Sequence, residues 1–307
     1  MTATRVLLVG WSSVLHGEAT AGDVLSMRTV ERALSRSHLR HDTAWSPVMR
    51  PPGGLALDDA DPSLYSHLVF ACGPAMGPPL VELHQRFAHC TRIAIGVSVI
   101  DPADPAVTGF HRVLARDGPE SAPRPDLATV APMASGTSLP PVLGVFLTGG
   151  QQEYGARRRH DAVQATLETW LSRVDAGRLD LDTRLDPRDW RLPTSPEQLQ
   201  SVIQRLDAVV TMRLHGLVLA LRAGVPAIAL DPVEGGGKVT AQAQALDWPA
   251  VLSAGEATES ALDHHLEWCL SEGRALAQRA SRAQSVPAAN GLVASELGTL
   301  IQYLNES

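Results

Sequence analysis

Lysine is almost absent from this chain of 307 residues: Lys238 is the only one, and the other 25 of its 26 basic residues are arginines. Positive charge as a whole is scarce, since 33 acidic residues give a formal net charge of −7 at pH 7. No long run of basic residues offsets this balance. Because contacts with a phosphate backbone require clustered Lys and Arg, the sequence predicts no nucleic-acid partner.

Cysteine and long apolar runs are also in short supply. The 3 cysteines are an odd number without the spacing of a metal site, so we expect no metal ion and a reducing compartment rather than a disulfide framework. No apolar run approaches the ~20 residues that span a bilayer, which predicts no transmembrane segment. The first apolar run begins at Val6 and leaves no room for a signal peptide. These absences together predict a cytoplasmic protein.

What the chain does contain is typical of a folded protein. Apolar residues make up 44% of it, too many for a disordered segment, and its length favours two domains. The excess of arginine over lysine, with abundant Ala, Pro, Gly and Asp, indicates codon bias toward GC-rich triplets. A lysine that survives such a bias is either there by chance or marks a site that needs a compact point charge.

Buried strands alternate with helices along the first half of the chain. The run Val6–Gly10 has the Val and Leu content of a strand that is covered on both faces. Further strands are predicted at 67–71, 92–97, 111–116 and 127–130, with helices at 23–35 and 79–89. This alternation indicates a parallel sheet with right-handed crossovers.

The same alternation starts again after residues 131–141, the best candidate for a linker. Strands are predicted at 142–147, 207–211 and 226–230, with helices at 161–174, 196–206, 214–223 and 238–246. Residues from about 256 to 305 are predicted to be helical, with breaks near Gly273, Pro287 and Gly291. The fold class that follows is α/β, with one Rossmann-like domain at 1–135 and another at 140–307, parallel sheets that face a cleft, and a helical C-terminal tail.

The most informative segment is Asp207–Asp231, where a buried strand ends in Arg213-Leu-His215-Gly216 and a short helix begins. Ligands of open α/β sheets bind beyond the carboxyl ends of the strands. A helix N-terminus there offers free N–H groups and a partial positive charge. Arg213 and His215 do not share a helix face and are expected to flank a bound group. The structural alternative is an arginine that caps a neighbouring strand and a histidine satisfied by a carbonyl.

This segment resembles the polysaccharide pyruvyl transferase family. The resemblance rests on Asp-x-Val-Val-x-x-Arg-Leu-His-Gly at 207–216, Gly-Val-Pro-x-Ile-Ala at 224–229, and an Asp-Pro that precedes Lys238. Weaker matches are Gly22-Asp23 at the first helix, Cys72-Gly73-Pro74 in place of a glycine run, and Arg116-Asp117 with Asp126-Leu127 downstream. The chain departs from the family at Thr148-Gly149-Gly150, where many members have an arginine.

The resemblance implies a fold similar to that of GT-B glycosyltransferases. It also implies an enzyme that moves the pyruvyl group of phosphoenolpyruvate to hydroxyls of a sugar or glycan acceptor and forms a pyruvate ketal. No metal and no cofactor are implied, because phosphoenolpyruvate is the donor substrate. His215 would be the general acid and base, Arg213 would hold a carboxylate or phosphate, and Lys238 would place a point charge on the phosphate.

The other candidate substrate-binding residues follow from the same motifs. They are Gly216, Thr148, Gly149 and Arg116, together with Gly22, Asp23, Gly73 and Pro74 on the acceptor side in the first domain.

Two other functions remain open at the level of sequence. A nucleotide-sugar glycosyltransferase on the same fold would also hold a phosphate at a helix N-terminus, although no acidic residue is placed for a ribose. A non-catalytic relative would keep the fold as a binding module, which the missing arginine favours. A nicotinamide site is not predicted, because Gly10, Gly17 and Gly22 miss the Gly-x-Gly-x-x-Gly spacing. The helical tail is either a cover for the first domain or a contact in a homo-oligomer.

Overall fold

Two compact units, Met1–Ser135 and Gly136–Ser307, make up the chain. The computed structural model describes residues 4–15, 19–132, 139–149, 151–284 and 291–306. Most of the predicted linker, at 133–138, therefore lies outside the described residues, as do Gly17, Gly150 and the predicted helix break at Pro287.

Six parallel strands form the sheet of the first unit. They are β1 (Arg5–Gly10), β2 (Arg40–Trp45), β3 (Leu55–Ala56), β4 (His67–Ala71), β5 (Thr91–Ser98) and β6 (Arg112–Asp117). Their order across the sheet is β3-β2-β1-β4-β5-β6, and each neighbouring pair is parallel. β1 is central, and consecutive residues from Val6 to Val9 are all buried, as expected for a strand covered on both faces.

Three α-helices in the described part of this unit connect strands of the sheet. They are α1 (Ala21–Arg36), α2 (Pro78–Arg86) and α3 (Pro105–Thr108). α1 begins with a capping box, in which the backbone N–H of Asp23 donates to Thr20 Oγ1 at 3.2 Å and the Asp23 carboxylate accepts from the Thr20 N–H at 2.8 Å. α2 begins at Pro78, where the missing N–H does no harm.

Five parallel strands form the sheet of the second unit. They are β7 (Val142–Phe146), β8 (Gly177–Asp180), β9 (Ala208–Thr211), β10 (Ala227–Asp231) and β11 (Val251–Ser253). Their order is β11-β10-β9-β7-β8, again with parallel pairs throughout. Phe146 of β7 is buried in a core that includes Trp170, whose indole N–H donates to Asp263 Oδ1 at 2.7 Å.

Seven α-helices belong to the described part of the second unit. They are α4 (His160–Arg173), α5 (Pro196–Ile203), α6 (Leu214–Arg222), α7 (Lys238–Ala245), α8 (Glu259–Trp268), α9 (Arg274–Gln284) and α10 (Gly291–Glu306). A π-helical turn at Cys269–Gly273 joins α8 to α9, so the predicted helix break at Gly273 is wrong.

The predicted fold class is confirmed in its two parallel α/β sheets and its helical C-terminal segment. One predicted strand is wrong: residues Leu127–Val130 form a 3₁₀ helix. The Asp126 carboxylate accepts from the Ala128 N–H at 2.8 Å and caps this turn, which favours helical over extended backbone. Four short or polar strands, β2, β3, β8 and β11, have no counterpart in the sequence-based prediction.

The two strand orders decide where each unit offers a ligand crevice. In doubly wound sheets, ligands bind at the carboxyl ends of the two strands between which the order reverses. The reversal lies between β1 and β4 in the first unit and between β7 and β9 in the second. Trp11 and Gly73 follow the first pair of strands, while Thr148 and Arg213 follow the second pair.

Candidate active site

The candidate site is built on the junction between β9 and α6. Thr211 at the end of β9 is fully buried. Its hydroxyl accepts from the Arg213 N–H at 2.9 Å and donates to the Arg213 carbonyl at 3.0 Å. Gly216 lies so close to this hydroxyl that a Cβ added there would be 2.2 Å from Thr211 Oγ1. Glycine at this position therefore lets α6 start directly against the strand.

Arg213 is held across the carboxyl ends of the neighbouring strands. Its Nε donates to the Leu147 carbonyl at 2.7 Å, just past β7. Its Nη1 lies 3.4 Å from Asp182 Oδ1, just past β8. The side chain is 25% exposed, so part of the guanidinium remains accessible to a ligand. Its orientation is fixed before any ligand arrives, which lowers the entropic cost of binding an anion.

Asp182 stays ionised beside this arginine. Burial acts to raise the pKa of its carboxyl, but the hydrogen bonds from Arg184 and the charges of Arg213 and Arg184 outweigh burial and hold the pKa below its usual value. Arg184 makes the closer contacts, with its backbone N at 2.9 Å and its Nε at 2.7 Å. Asp182 is thus neutralised mainly by Arg184, which leaves most of the Arg213 charge for a ligand.

Lys238 is placed by a buried carboxylate at the end of β10. Asp231 is fully buried and accepts from the N–H groups of Val233 at 3.1 Å, Gly237 at 2.7 Å and Thr240 at 2.8 Å. These bonds fold the glycine-rich segment that precedes α7 and cap the helix that Lys238 begins. Lys238 itself is exposed, and no described acidic side chain forms an ion pair with it.

These elements enclose one pocket of about 140 Å³. It is lined by Thr148, Gln151, Thr183, Arg213, Leu214, His215 and Lys238. Four of the sequence-predicted residues therefore meet in it: Thr148, Arg213, His215 and Lys238. Gly149 follows Thr148 directly, and Gly216 lies in the first turn of α6, whose N-terminus has no side-chain cap. The uncapped amides add a partial positive charge to the two cations.

Three lining residues were missed by the sequence-based prediction: Leu214, which lies between Arg213 and His215 in the motif, and two loop residues. Gln151 and Thr183 lie in loops after β7 and β8. The one feature of the sequence that could have indicated these two residues is their position after a strand. β8 is an exposed edge strand without an apolar run, so the sequence does not predict it. Thr183 could therefore be found only after the strand had been recognised.

In the first unit, several predicted acceptor-side residues already have partners within the fold. Asp23 is buried in the capping box of α1, and Gly22 lies within that same first turn. Gly73 has φ +73, and a Cβ there would be 2.2 Å from the Trp11 ring. The Trp11 indole N–H donates to the Pro74 carbonyl at 3.2 Å. Packing and capping explain these residues, and their contact with an acceptor stays a prediction.

Arg116 is likewise engaged by neighbouring side chains. Its Nε lies 2.7 Å from Asp117 Oδ2, its Nη2 donates to Ser98 Oγ at 2.6 Å, and its Nη1 pairs with Asp126. The bond to Asp117 is the largest cause that raises the pKa of Arg116 above its usual value, and the bond to Asp126 adds to it. This arginine ties β6 to the capped turn at Leu127–Val130 and has little charge left for a substrate.

Three larger cavities have other settings, and one of them, of about 300 Å³, is an apolar cavity lined by Val30, Leu34 and Ile93 among others. One of about 310 Å³ is lined by Asp207, Pro226 and Arg274 among others, at the amino-terminal edge of the second sheet, away from the strand ends that hold ligands. One of about 230 Å³ in the first unit is lined by Ser13, Glu82 and other residues.

Among the described residues, no three His, Cys, Asp or Glu side chains converge as metal ligands would. None of the described helices is both long enough and apolar enough to span a bilayer.

Comparison with solved structures gives distant likenesses. The glycotransferase of kitacinnamycin is 14% identical with a TM-score of 0.32, over 96% of this chain and 98% of that one. SnogD from Streptomyces nogalater is 15% identical with a TM-score of 0.32, over 95% and 99% of the two chains. The E. coli heptosyltransferase WaaC with ADP is 15% identical with a TM-score of 0.28, over 86% and 99%. Likenesses this weak do not indicate an activity.

Comparison with protein families is more informative. No curated protein matches this sequence. The family described as Polysaccharide pyruvyl transferase matches residues 115–232. This segment contains Arg213 and His215 and supports a transferase. The resemblance predicted from the sequence is thus confirmed: over residues 115–232, the chain matches the polysaccharide pyruvyl transferase family.

Proposed function

We propose that this protein transfers the pyruvyl group of phosphoenolpyruvate to hydroxyl groups of a sugar or glycan. The observation that carries the proposal is the convergence of Arg213, His215 and Lys238 on one pocket. The family match over residues 115–232 includes two of these three residues and supports the same reaction class.

The size and charge of the pocket favour a small, highly charged donor. Its volume of about 140 Å³ is below the ~300 Å³ at which pockets for drug-sized ligands begin. A nucleotide sugar would extend beyond this half-open pocket, whereas phosphoenolpyruvate is compact and carries close to three negative charges. Two cations and the uncapped amides of α6 complement such a charge.

Arg213 and Lys238 have different tasks in this proposal. The planar guanidinium of Arg213, oriented by Leu147 and Asp182, suits a carboxylate or phosphate that it binds with two parallel hydrogen bonds. The ammonium of Lys238, on the first residue of α7, is a compact point charge that follows the phosphate as it becomes the leaving group.

His215 moves the proton. An acceptor hydroxyl adds to C2 of phosphoenolpyruvate, and the enol methylene gains a proton to become a methyl group. The bond between C2 and the oxygen of the phosphate group then breaks, and phosphate leaves with the bonding electron pair. A second hydroxyl adds to C2 and completes the ketal, and its proton leaves with phosphate. His215 lines the pocket and is exposed, which supports the role of taking the first hydroxyl proton and delivering one to the methylene.

Thermal-shift titration tests the donor. A ligand at 100 times its Kd stabilises the folded protein by about 2.7 kcal/mol. We expect phosphoenolpyruvate to raise the melting temperature in a saturable way, and UDP and UDP-glucose to leave it unchanged. A shift with UDP-glucose alone would instead support a glycosyltransferase, and no shift with any of the three would support a non-catalytic relative.

Product analysis tests the reaction itself. Phosphoenolpyruvate and a panel of sugar acceptors are incubated with the protein, and inorganic phosphate release is measured together with the mass of the sugar. Pyruvate ketal formation adds the mass of pyruvate less one water to the acceptor and releases one phosphate per ketal. Phosphate release without sugar modification would contradict the proposed transfer.

A further inference from the structure

Gln151 enters the pocket on a backbone conformation that few side-chain-bearing residues adopt. Its φ of 58° and ψ of 53° lie in the left-handed region, which is uncommon for residues other than glycine. It lines the pocket together with Arg213 and Lys238. An outlier of this kind at a pocket wall suggests that the position is held for function.

His160 lies behind Gln151 and is fully buried. It is the first residue of α4, and its Nε2 is 3.0 Å from Gln151 Oε1. The ring of Tyr154 stacks on it with centroids 6.5 Å apart. Its Nδ1 is buried and has no hydrogen-bond partner within the described part of the chain.

The unpartnered Nδ1 decides which group of Gln151 points into the pocket. If His160 carried its proton on Nδ1, a buried N–H donor would lack an acceptor, which is rare and costly. With the proton on Nε2, the ring donates to Gln151 Oε1 and only a lone pair is left unsatisfied, which costs less. The amide oxygen of Gln151 is then engaged with His160, so its NH₂ group is the end left for a ligand.

The groups around His160 keep its imidazole neutral. Burial lowers the pKa of His160, the charges of Arg158 and Lys238 lower it further, and those of Asp161 and Asp231 oppose them. A neutral imidazole has a single ring proton, and the geometry places it on Nε2.

We infer that Gln151 is a further donor-binding residue, whose amide N–H donates to an anionic oxygen in the pocket, and that His160 is the positioning residue that turns this amide outward. The inference rests on the proposed donor site and extends it. It adds a neutral hydrogen-bond donor, with a fixed direction, to the two cations already described, Arg213 and Lys238.

The decisive comparison is Gln151→Glu against Gln152→Glu. Gln152 is the next residue and is exposed, so both variants carry the same charge change on the same loop. With phosphoenolpyruvate as the probe in isothermal titration calorimetry, we expect Gln151→Glu to raise Kd at least about tenfold, because it replaces a donor with a negative charge. Gln152→Glu should leave Kd unchanged, and both variants should melt at the wild-type temperature.

A second set of variants tests whether His160 acts through Gln151. His160→Phe keeps the ring but removes the donor, and we expect Kd to rise about threefold to tenfold. His160→Gln presents an amide N–H near the position of Nε2 and should restore most of the affinity. In a Gln151→Leu background, His160→Phe should cause no further loss, since the two changes remove the same interaction.

The outcomes separate this inference from the proposed function. If wild type binds phosphoenolpyruvate and Gln151→Glu binds it equally well, the inference is wrong and the donor site stands. If wild type binds UDP-glucose instead, the proposed donor is wrong. The ratio of the Kd values of Gln151→Glu and Gln152→Glu for UDP-glucose then decides the inference. Additive losses from His160→Phe and Gln151→Leu would overturn the positioning role of His160.

Discussion

The two units place similar loops at the reversal of their strand order, but they treat the polar groups there in opposite ways. In the first unit, Asp23 closes a capping box and Arg116 is shared among Asp117, Asp126 and Ser98. In the second unit, Lys238 has no ion pair with any described residue, and the first turn of α6 has no side-chain cap. At its strand-order reversal the first unit has paired these groups internally, whereas the second unit leaves Lys238 and the first turn of α6 available and holds Arg213 only partly paired, 3.4 Å from Asp182.

This difference supports the second unit as the place of the proposed anion site. At the end of β4 in the first unit, burial raises the pKa of the Cys72 thiol, and the carboxylates of Asp126 and Asp23 raise it further. Both carboxylates already have partners, Arg116 for Asp126 and Thr20 for Asp23, and neither offers a positive charge to a negative ligand. Beyond β9 such a ligand would meet Arg213 and Lys238 instead. Both sheets reverse their strand order, and the pairing of charges at the reversal is what differs between them.

The largest expected effect comes from His215→Ala. If this exposed histidine moves the proton, its loss should lower kcat about 100- to 10,000-fold. Donor Kd and melting temperature should change little, because the side chain is not part of the core. Initial rates of phosphate release in the presence of an acceptor measure the effect.

His264→Ala is the matched control for that variant, since His264 is another exposed histidine, on α8. It should keep wild-type kcat. Turnover retained by His215→Ala would remove His215 from the mechanism and weaken the contrast between the two units.

The next largest effect compares one arginine from each unit. Arg213→Ala should raise the Kd for phosphoenolpyruvate about 10- to 100-fold, because it removes a charge-assisted hydrogen bond to the anion. Arg116→Ala should leave that Kd unchanged but lower the free energy of unfolding by about 1–3 kcal/mol, because it strands the half-buried Asp126 carboxylate. Calorimetry and urea denaturation measure the two quantities.

The two arginines differ in which quantity their loss changes: donor Kd for Arg213 and the free energy of unfolding for Arg116. A large loss of donor affinity in Arg116→Ala, at unchanged stability, would show that the first unit also holds the anion. Arg213→Lys serves as an intermediate: it keeps the charge but loses the contact between Nε and the Leu147 carbonyl, so a partial loss of affinity is expected.

The same contrast explains how much could be predicted from the sequence. The buried strands β1, β4, β7, β9 and β10 are short apolar runs, and their alternation with helices is sufficient to predict two parallel sheets. β2 and β8 carry polar residues along most of their length and were missed. Their strand conformation comes from pairing with a neighbour, which is not a local property of the sequence.

The candidate site was predictable only where its residues share a motif. Arg213 and His215 are two positions apart at a strand end, and their meeting with Lys238 follows from neighbouring strands in one sheet. Gln151 and His160 come from a loop and a helix start that no local pattern connects. The packing roles of Gly216 against Thr211 and of Gly73 against Trp11 are also tertiary, since each depends on a contact distance.

A smaller effect is expected from Lys238→Arg, which addresses the single lysine of the chain. If a compact ammonium is needed on the phosphate, the bulkier guanidinium should raise donor Kd about threefold to tenfold and lower kcat by a similar factor. Arg28→Lys, the reverse exchange at an exposed position of α1, should change neither. Unchanged affinity and turnover in Lys238→Arg would mean that this lysine survived by chance.

The smallest effect concerns His84 in the first unit and His160 in the second, the histidines that are buried in the described part of the chain. Burial lowers the pKa of each below the ordinary 6.5. The unfolded chain therefore binds protons more readily as the pH falls below about 6.5, and stability that is present above that pH is lost. We expect His84→Gln and His160→Gln each to reduce the fall in melting temperature between pH 7.5 and 5.5 by about 2 °C. Asp126 and Asp182 stay ionised in this window, because their pKa values are held below 3.8.

Replacing each histidine with phenylalanine then tests whether the two units use their histidines differently. His84 Nε2 lies 2.9 Å from the Ala106 carbonyl, a purely backbone partner. His84→Phe should thus lower the melting temperature, because it leaves a buried carbonyl unsatisfied, and should leave donor Kd unchanged. His160 contacts the pocket residue Gln151, so His160→Phe should raise donor Kd. Both substitutions also remove a buried Nδ1 that has no partner among the described residues, so donor Kd, and not stability, separates the two variants. Equal effects of both variants on Kd would contradict the separation of roles, since only one of the two rings reaches a residue of the anion pocket.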